Sequence, residues 1–340
     1  MADTLAAESD ASALDRLIRG FQVSRMIRLV ADLRLADRIS PEGQIDHRDL
    51  ATVCSVLPGP LLRILRALAA HGIFRVTAEG DVSHSPRSLL LRADAPRSFY
   101  YSARFWTAPG SWNAWGALDA ALTGGAPHHV AWGTSRFDYL RDHDEEARVF
   151  DSFMAQFPDA RHTALASSYD FSGTGLIVDV GGGNGEALRQ ILARFPAPRG
   201  IVFDRPDVVE AIPPSARSDG RIGIERGSFF DEVPAGADIY ILMRVLHDWP
   251  DDDCIRILKA VRAAMAPVAR LLIVEQILEP DPAIGNPTQY LIDIQMMAMF
   301  GEARERTEAE FGHLLDESGL APLRLIGTNS AVSILEAVPK

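Results

Sequence analysis

The sequence predicts an α/β protein: an open, doubly wound, mostly parallel sheet preceded by a mainly helical module. Three observations carry that expectation. From Leu176 onward, short apolar runs alternate with helical patterns, the signature of a parallel sheet covered on both faces. Residues 12–100 read instead as helix, helix and a small hairpin. A glycine-rich turn lies between the first strand of the alternating part and the helix after it.

The elements follow in order. Met1 to Asp10 is an acidic lead-in without the basic-then-apolar pattern of a signal peptide. Leu14 to Ile39 has apolar residues at helical spacing, interrupted at Gly20. Pro58 and Pro60 open a second helix, PLLRILRALAAHG, that stops at Gly72. Two extended pieces then flank the turn Glu79-Gly80-Asp81. This is the order of a winged-helix module, placed at 12–100. A helical, aromatic-rich linker is expected over 101–170, with Trp106, Trp112, Trp115 and Trp132. Within it Phe150, Phe153, Met154 and Phe157 share one helix face. The core of the larger domain, 171–340, holds the strands LIVDV, GIVFD, RIGIERG, DIYILMRVL and RLLIVEQ, and ends in a hairpin.

Composition excludes several classes. With 340 residues, 47% of them hydrophobic, the chain is expected to pack two domains. No apolar run reaches the length of a membrane span, so none is expected. The two cysteines, Cys54 and Cys254, have neither disulfide-framework nor zinc-site spacing, and a reducing cytoplasm is the default. The net charge of −12 disfavours nucleic acid. Between Arg16 and Arg75, however, ten arginines face five acids. The six from Arg16 to Arg38 interleave with apolar residues, which suits an interface helix with snorkelling stems.

The most informative stretch runs Asp179-Val180-Gly181-Gly182-Gly183-Asn184-Gly185-Glu186. A dinucleotide loop wants a sixth-position glycine where Glu186 stands, and a phosphate loop wants Gly-Lys-Ser/Thr, which is absent. The observed spacing suits S-adenosylmethionine (SAM), which has no phosphate to cradle. Asp179 fits too, since a carboxylate near an amine and a sulfonium is favourable. Asp204, at the end of the next strand, can accept from both ribose hydroxyls, or cap the helix that Pro206 opens. Phe229, after the third strand, serves either adenine or the core.

The fourth strand ends in Leu246-His247-Asp248-Trp249-Pro250, which puts His247 on the rim that carries the glycine turn. Methyl transfer from a sulfonium asks the protein to position an acceptor and remove its proton. Full transfer from a phenol to an ordinary imidazole costs about 5 kcal/mol. The proton must therefore leave as the methyl arrives, or a carboxylate must strengthen the base. Glu275, at the end of the fifth strand, and Glu305 are the candidates. Glu305 could equally be a surface ion-pair residue or part of a helix cap. Asp251, Asp252 and Asp253 read as a solvated helix start rather than a metal site.

In this order and spacing, VDVGGGNG, FDRPDVV, GSFFDEVP, RVLHDWPDDD, LLIVEQIL and ERTEAEF resemble the plant-type (class II) small-molecule O-methyltransferases, a group that includes bacterial polyketide and antibiotic O-methyltransferases of secondary metabolism. The resemblance covers essentially the whole chain. It implies a Rossmann-like class I SAM methyltransferase domain over 101–340, a homodimer formed through the N-terminal domain, and no metal. By position it implies SAM contacts at Gly181, Gly183, Asp204, Ser228 and Phe229, with S-adenosylhomocysteine as product. It implies His247 as base, flanked by Glu275 and Glu305, and acceptor contacts at Met154, Met296 and Met299, with Phe157 expected beside Met154 on the same helix face. Ser228 stands where the family usually has aspartate, and Met243 where plant members have lysine beside the cofactor.

The aromatics and methionines between Trp106 and Phe157, and from Met296 to Phe300, suit a flat apolar acceptor, a core or a dimer interface. Two other functions fit parts of the sequence. A C-methyltransferase would differ only in the acceptor atom presented. A ligand-sensing, DNA-binding regulator would use the winged-helix order, against the overall negative charge.

Overall fold

The computed structural model describes residues 9–156, 158–213 and 220–340. Phe157, one of the expected acceptor contacts, lies outside them. The chain forms two compact units, one of residues up to 113 with 137–156, the other of 114–136 with 157–340. The helical stretch 101–170 is thus shared between the two.

The N-terminal unit is mainly helical. The break foreseen at Gly20 separates helix Asp10–Ile18 from helix Gly20–Asp32. Helix Pro58–Ala70 begins on its proline, whose fixed φ suits a first helical turn. Three short strands, β1 (Gln44–Asp46), β2 (Arg75–Val76) and β3 (Asp81–Ser83), make an antiparallel sheet in the order β1-β3-β2. The hairpin of β2 and β3 matches the expected pair of extended pieces. β1 and the helix His47–Cys54 behind it were not legible, because three residues are too few to display a period. Leu35, Leu50, Leu65 and Leu68 are fully buried and form the centre of this unit.

The second unit is built on β4 (Leu176–Val180), β5 (Arg199–Asp204), β6 (Ile222–Arg226), β7 (Ile239–Met243), β8 (Arg270–Glu275), β9 (Ile277–Leu278), β10 (Arg306–Thr307), β11 (Leu320–Gly327) and β12 (Ser333–Pro339). Seven of them form one sheet in the order β11-β12-β8-β7-β4-β5-β6. β4 pairs in parallel with β5 and β7, β5 with β6, and β7 with β8. Only β12 runs against its neighbours, and with β11 it is the expected closing hairpin. The α/β expectation holds.

Alternate residues of the central strands feed two different cores. Val178, Tyr240, Leu242, Leu271 and Ile273 pack on one face, against Cys254, Ile257, Leu258 and Val261 of helix Asp251–Ala264. Ile177, Ile239, Ile241, Leu272 and Val274 pack on the other, against Leu188, Ile191 and Leu192 of helix Glu186–Arg194. Burial on both faces explains why these strands read as unbroken apolar runs.

Two features position the site. Strand order reverses between β4 and β7, and ligands of such sheets bind beyond the carboxyl ends at that crevice. β10 pairs in parallel with β9, directly after β8, and so brings the chain at Glu305 back to the end of β8. Among the described residues no single helix is long and apolar enough to cross a membrane.

Candidate active site

The carboxyl ends of β4, β5, β7 and β8 carry two clusters. The first surrounds the glycine turn. Gly181 has φ +72°, and a Cβ there would meet Val245 Cγ2 at 2.8 Å, so only glycine fits. Gly183 also has positive φ, but a Cβ there would meet nothing within 4 Å: this part of the loop faces open space. The Gly183 N–H donates to Asp204 Oδ2 at 2.9 Å, and the Arg205 N–H donates to Oδ1 at 2.7 Å. Asp204 therefore ties β5 to the loop and does not cap the next helix, whose N-cap, Arg205, offers no side-chain bond.

Asp179 is 1% exposed, and its Oδ2 has no hydrogen-bond partner. Burial, aided by the charge of Asp204, pushes its carboxyl up to about 7. A buried carboxyl left unsatisfied in an otherwise well-bonded interior is the mark of a missing partner. A ligand with a positive or N–H donor group would supply one. Phe229 stands at the same rim: its ring lies 3.6 Å from where a Gly181 Cβ would be, and packs edge-on to Phe230 and Trp249. Ser228 Oγ accepts from the Phe230 N–H at 3.2 Å, and half-buried Met243 packs against the core.

The second cluster is an ion-pair network. Glu275 is fully buried, and its two oxygens accept four bonds. Oε1 takes the Val245 and Leu246 N–H groups at 2.9 and 3.0 Å. Oε2 takes Arg244 Nη1 at 3.1 Å and His247 Nδ1 at 3.0 Å. Burial alone would raise this carboxyl, but His247 and Arg244 outweigh it and hold it below the usual range. A carboxylate on Nδ1 favours the imidazole tautomer with Nδ1 protonated. Asp248 Oδ1 lies 3.2 Å from Nε2, and burial raises the Asp248 carboxyl.

Arg244 is the hub of this cluster. It has φ +55°, unusual for a residue with a side chain, and its N–H is held by Val274 O at 3.0 Å. Its guanidinium spans Glu275 and Glu305, reaching the two Glu305 oxygens at 3.0 and 2.8 Å. Burial works against its charge, but the two glutamates win and raise its pKa. Glu305 is 2% exposed, so it is neither a surface residue nor part of the cap. The capping box beside it is Thr307 with Glu310. Glu305 reaches His247 through Arg244, and the second acid against the imidazole is Asp248.

The structure thus gathers Asp179, Gly181, Gly183, Asp204 and Phe229 at one part of the rim and His247, Glu275 and Glu305 at another. Met296 and Met299 are buried in helix Pro287–Phe300 of the same unit; Met154 belongs to the N-terminal unit and is 43% exposed. Arg244 and Asp248 were missed from sequence. Arg244 had a signal: one charge inside the apolar run ILMRVL, at a strand end. Asp251 to Asp253 form the first turn of helix Asp251–Ala264, and no group of three or more metal-ligating side chains occurs among the described residues.

A family model described as an O-methyltransferase domain matches residues 115–321. The phenazine O-methyltransferase of Lysobacter antibioticus is 36% identical over 334 residues, 96% of each chain. The crystal structure of a mitomycin 7-O-methyltransferase superposes with TM-score 0.85 at 31% identity, covering 97% of this chain and 98% of that one. An O-methyltransferase of neocarzinostatin biosynthesis, solved with SAM and 2-hydroxy-5-methyl naphthoic acid, gives TM-score 0.79 at 28% identity, covering 98% and 100%. The large mixed sheet is the one found in class I SAM methyltransferases.

Two outcomes follow from the clusters. Arg244→Met leaves two buried glutamates without their cation, and unfolding in urea should show a loss of about 3–5 kcal/mol. A midpoint equal to wild type would refute the hub role. For Asp179, a folded pKa of about 7 against an ordinary 3.8 means that the fold favours the protonated acid. Its stabilisation is present below pH 3.8 and lost as pH rises through 7. Without ligand, Asp179→Asn should therefore be more stable than wild type at pH 8, by at most about 4 kcal/mol, with the gain absent near pH 3. A gain independent of pH would contradict the assignment.

Proposed function

The chain belongs to the O-methyltransferase family and is a SAM-dependent O-methyltransferase, and from that premise we propose that it methylates a hydroxyl oxygen of a small, flat aromatic or polyketide-like acceptor, with His247 as general base. The observation that carries the reading is the bond from His247 Nδ1 to the fully buried Glu275, which leaves Nε2 as the proton acceptor.

The rim fits the cofactor. Asp179 brings an orphaned buried oxygen, Gly183 an open face of the loop, and Asp204 a carboxylate at the end of β5 suited to ribose hydroxyls. Ser228, Phe229 and Met243 border the same rim, with Phe229 as the ring for adenine. Bound SAM supplies an electrophilic methyl group on a sulfonium. The residues of this chain do the rest. Nε2 takes the acceptor's hydroxyl proton, so that the oxygen's electron pair is free for the carbon. The resulting imidazolium lies between Glu275 and Asp248, 3.0 and 3.2 Å from its two ring nitrogens. Arg244 and Glu305 hold Glu275 in place, acting as positioning residues. Met296 and Met299 of helix Pro287–Phe300 supply polarisable apolar side chains that suit a flat acceptor. The aromatic acid bound by the neocarzinostatin relative has this general shape.

We also propose a homodimer through the N-terminal unit. Helix Asp10–Ile18 buries none of its residues in the chain, and Leu14, Leu17, Ile18 and Phe21 are 57–75% exposed. A contiguous apolar face of that kind marks a protein interface.

His247→Ala should lower kcat for methyl transfer by at least about a hundredfold and leave SAM affinity, measured by calorimetry, within about twofold. Full turnover at neutral pH would remove the general-base role. Replacing Leu17 and Phe21 by glutamate should move the protein from dimer to monomer in light scattering; an unchanged dimer mass would place the interface elsewhere.

A further inference from the structure

His247 lies in a single turn of 3₁₀ helix, Leu246–Asp248, and such a turn has poor bonding of its own. The Asp248 N–H reaches Val245 O at 3.2 Å and the Trp249 N–H reaches Leu246 O at 3.3 Å, both long. Yet the ring keeps a 3.0 Å bond to Glu275, which a displacement of about half an ångström would break. The turn is held from outside, by β10. Arg306, the first residue of that strand, is fully buried. Its Nη1 donates to Leu246 O at 2.9 Å and its Nη2 to Trp249 O at 2.8 Å. One guanidinium thus bridges the two carbonyls on either side of His247 and Asp248. Asp251 Oδ1 accepts from Nε at 2.9 Å and from Nη2 at 2.6 Å, which aims the planar fork. The Cys254 thiol lies 3.2 and 3.4 Å from the same carbonyls, but a thiol is a weak donor. The Arg304 N–H donates to His247 O at 3.0 Å. β10 is itself fixed: Arg306 pairs with Ile277, two residues after Glu275, and Thr307 caps the helix that follows. The carboxylate on the ring and the anchor of the turn therefore share one frame.

We propose that Arg306 is a positioning residue for the base: by gripping the carbonyls of Leu246 and Trp249 it sets His247 Nδ1 within bonding distance of Glu275. Its consequence for catalysis rests on the reading of His247 as general base. The effect runs through the backbone of the turn, and the bonds that carry it are charge-assisted on the donor side, hence stronger than the turn's own. Arginine is required because its rigid fork reaches two carbonyls and a carboxylate together, while the compact ammonium of lysine is a single point of contact. Glu305 and Arg306 then have complementary tasks from adjacent positions. Glu305 holds Arg244 against Glu275, and Arg306 holds the turn that brings the imidazole to the same carboxylate.

The test uses the full-length protein with isotope-labelled histidine, saturated with S-adenosylhomocysteine, and reads ring N–H signals by NMR. The His247 signal, assigned by its loss in His247→Ala, should exchange slowly with water in the wild type. In Arg306→Lys that exchange should become about tenfold faster, with S-adenosylhomocysteine affinity by calorimetry within about twofold of wild type. The ring N–H of His128, bonded to Thr134 O in the same unit, is the internal reference and should not change. If Arg306→Lys does not fold, Asp251→Ala takes its place. It removes the acid that aims the guanidinium from an exposed helix start, and about threefold faster exchange is expected. Unchanged exchange at His247 in the folded variant, equal acceleration at His247 and His128, or no protected His247 signal in wild type overturns the inference. The readout concerns ring position alone, so turnover separates it from the general-base reading. A ring loosened as expected, in an enzyme whose His247→Ala variant keeps full turnover, would sink the proposed function and leave the anchor standing. An inactive His247→Ala together with an unmoved ring in Arg306→Lys would do the reverse.

Discussion

The carboxylate of Glu275 is the group on which the rest of the rim depends. It has no exposure to solvent, yet it remains ionised. Stripping water from a carboxylate costs several kcal/mol, so each lone pair needs a donor. The donors dictate the local chain path. Two come from the backbone just past β7, and they reach Oε1 only because the chain turns sharply at Arg244, in a left-handed conformation costing about 1–2 kcal/mol. The third is the guanidinium of that same residue, and the fourth is the imidazole. One buried charge thereby specifies a turn, an ion pair and the orientation of the His247 ring.

Asp179 has a similar place in the fold and the opposite circumstances. It too is a buried acid within a strand of the parallel sheet, but one of its oxygens has no donor. The contrast separates scaffold from binding surface. Where the interior completes its own bonding, as at Glu275, the side chain is held in one position. Where it stops short, as at Asp179, burial raises the carboxyl instead, and the deficit is available to a ligand. The two acids occupy β4 and β8, on either side of the point where strand order reverses. The sheet therefore presents an incomplete half and a completed half to the same crevice.

The sequence was legible where burial imposes a period. Strands buried on both faces appear as apolar runs, and the helices between them as stripes, so the alternating half of the chain could be read almost element by element. The glycine turn was legible because positive φ and close backbone approach leave few alternatives to glycine. His247 was visible from its place at a strand end. Of the ion-pair network, Glu275 and Glu305 were legible as acids for His247, but Arg244 between them was not: Arg244 meets Glu275 through the pairing of β7 with β8, and Glu305 joins them only when β9 and β10 pair. A lone arginine in an apolar run is a sign of such a network, but it does not name the partners. The dual reading of Asp204 as ribose acid or helix cap illustrates a further limit. Only the bond from Gly183 shows that its side chain faces the loop.

Charge accounting gives the departures at Ser228 and Met243 a physical meaning. The family pattern would put an acid at the first and, in plants, a base at the second. Here Ser228 spends one lone pair on the Phe230 N–H, which stabilises its own turn, and half-buried Met243 packs against the core. The glycine-turn part of the rim therefore concentrates its charge at Asp179 and Asp204, and the charge of Asp204 helps to raise the Asp179 carboxyl. The other half sets the guanidinium of Arg244 against Glu275 and Glu305, so its charges are engaged with one another.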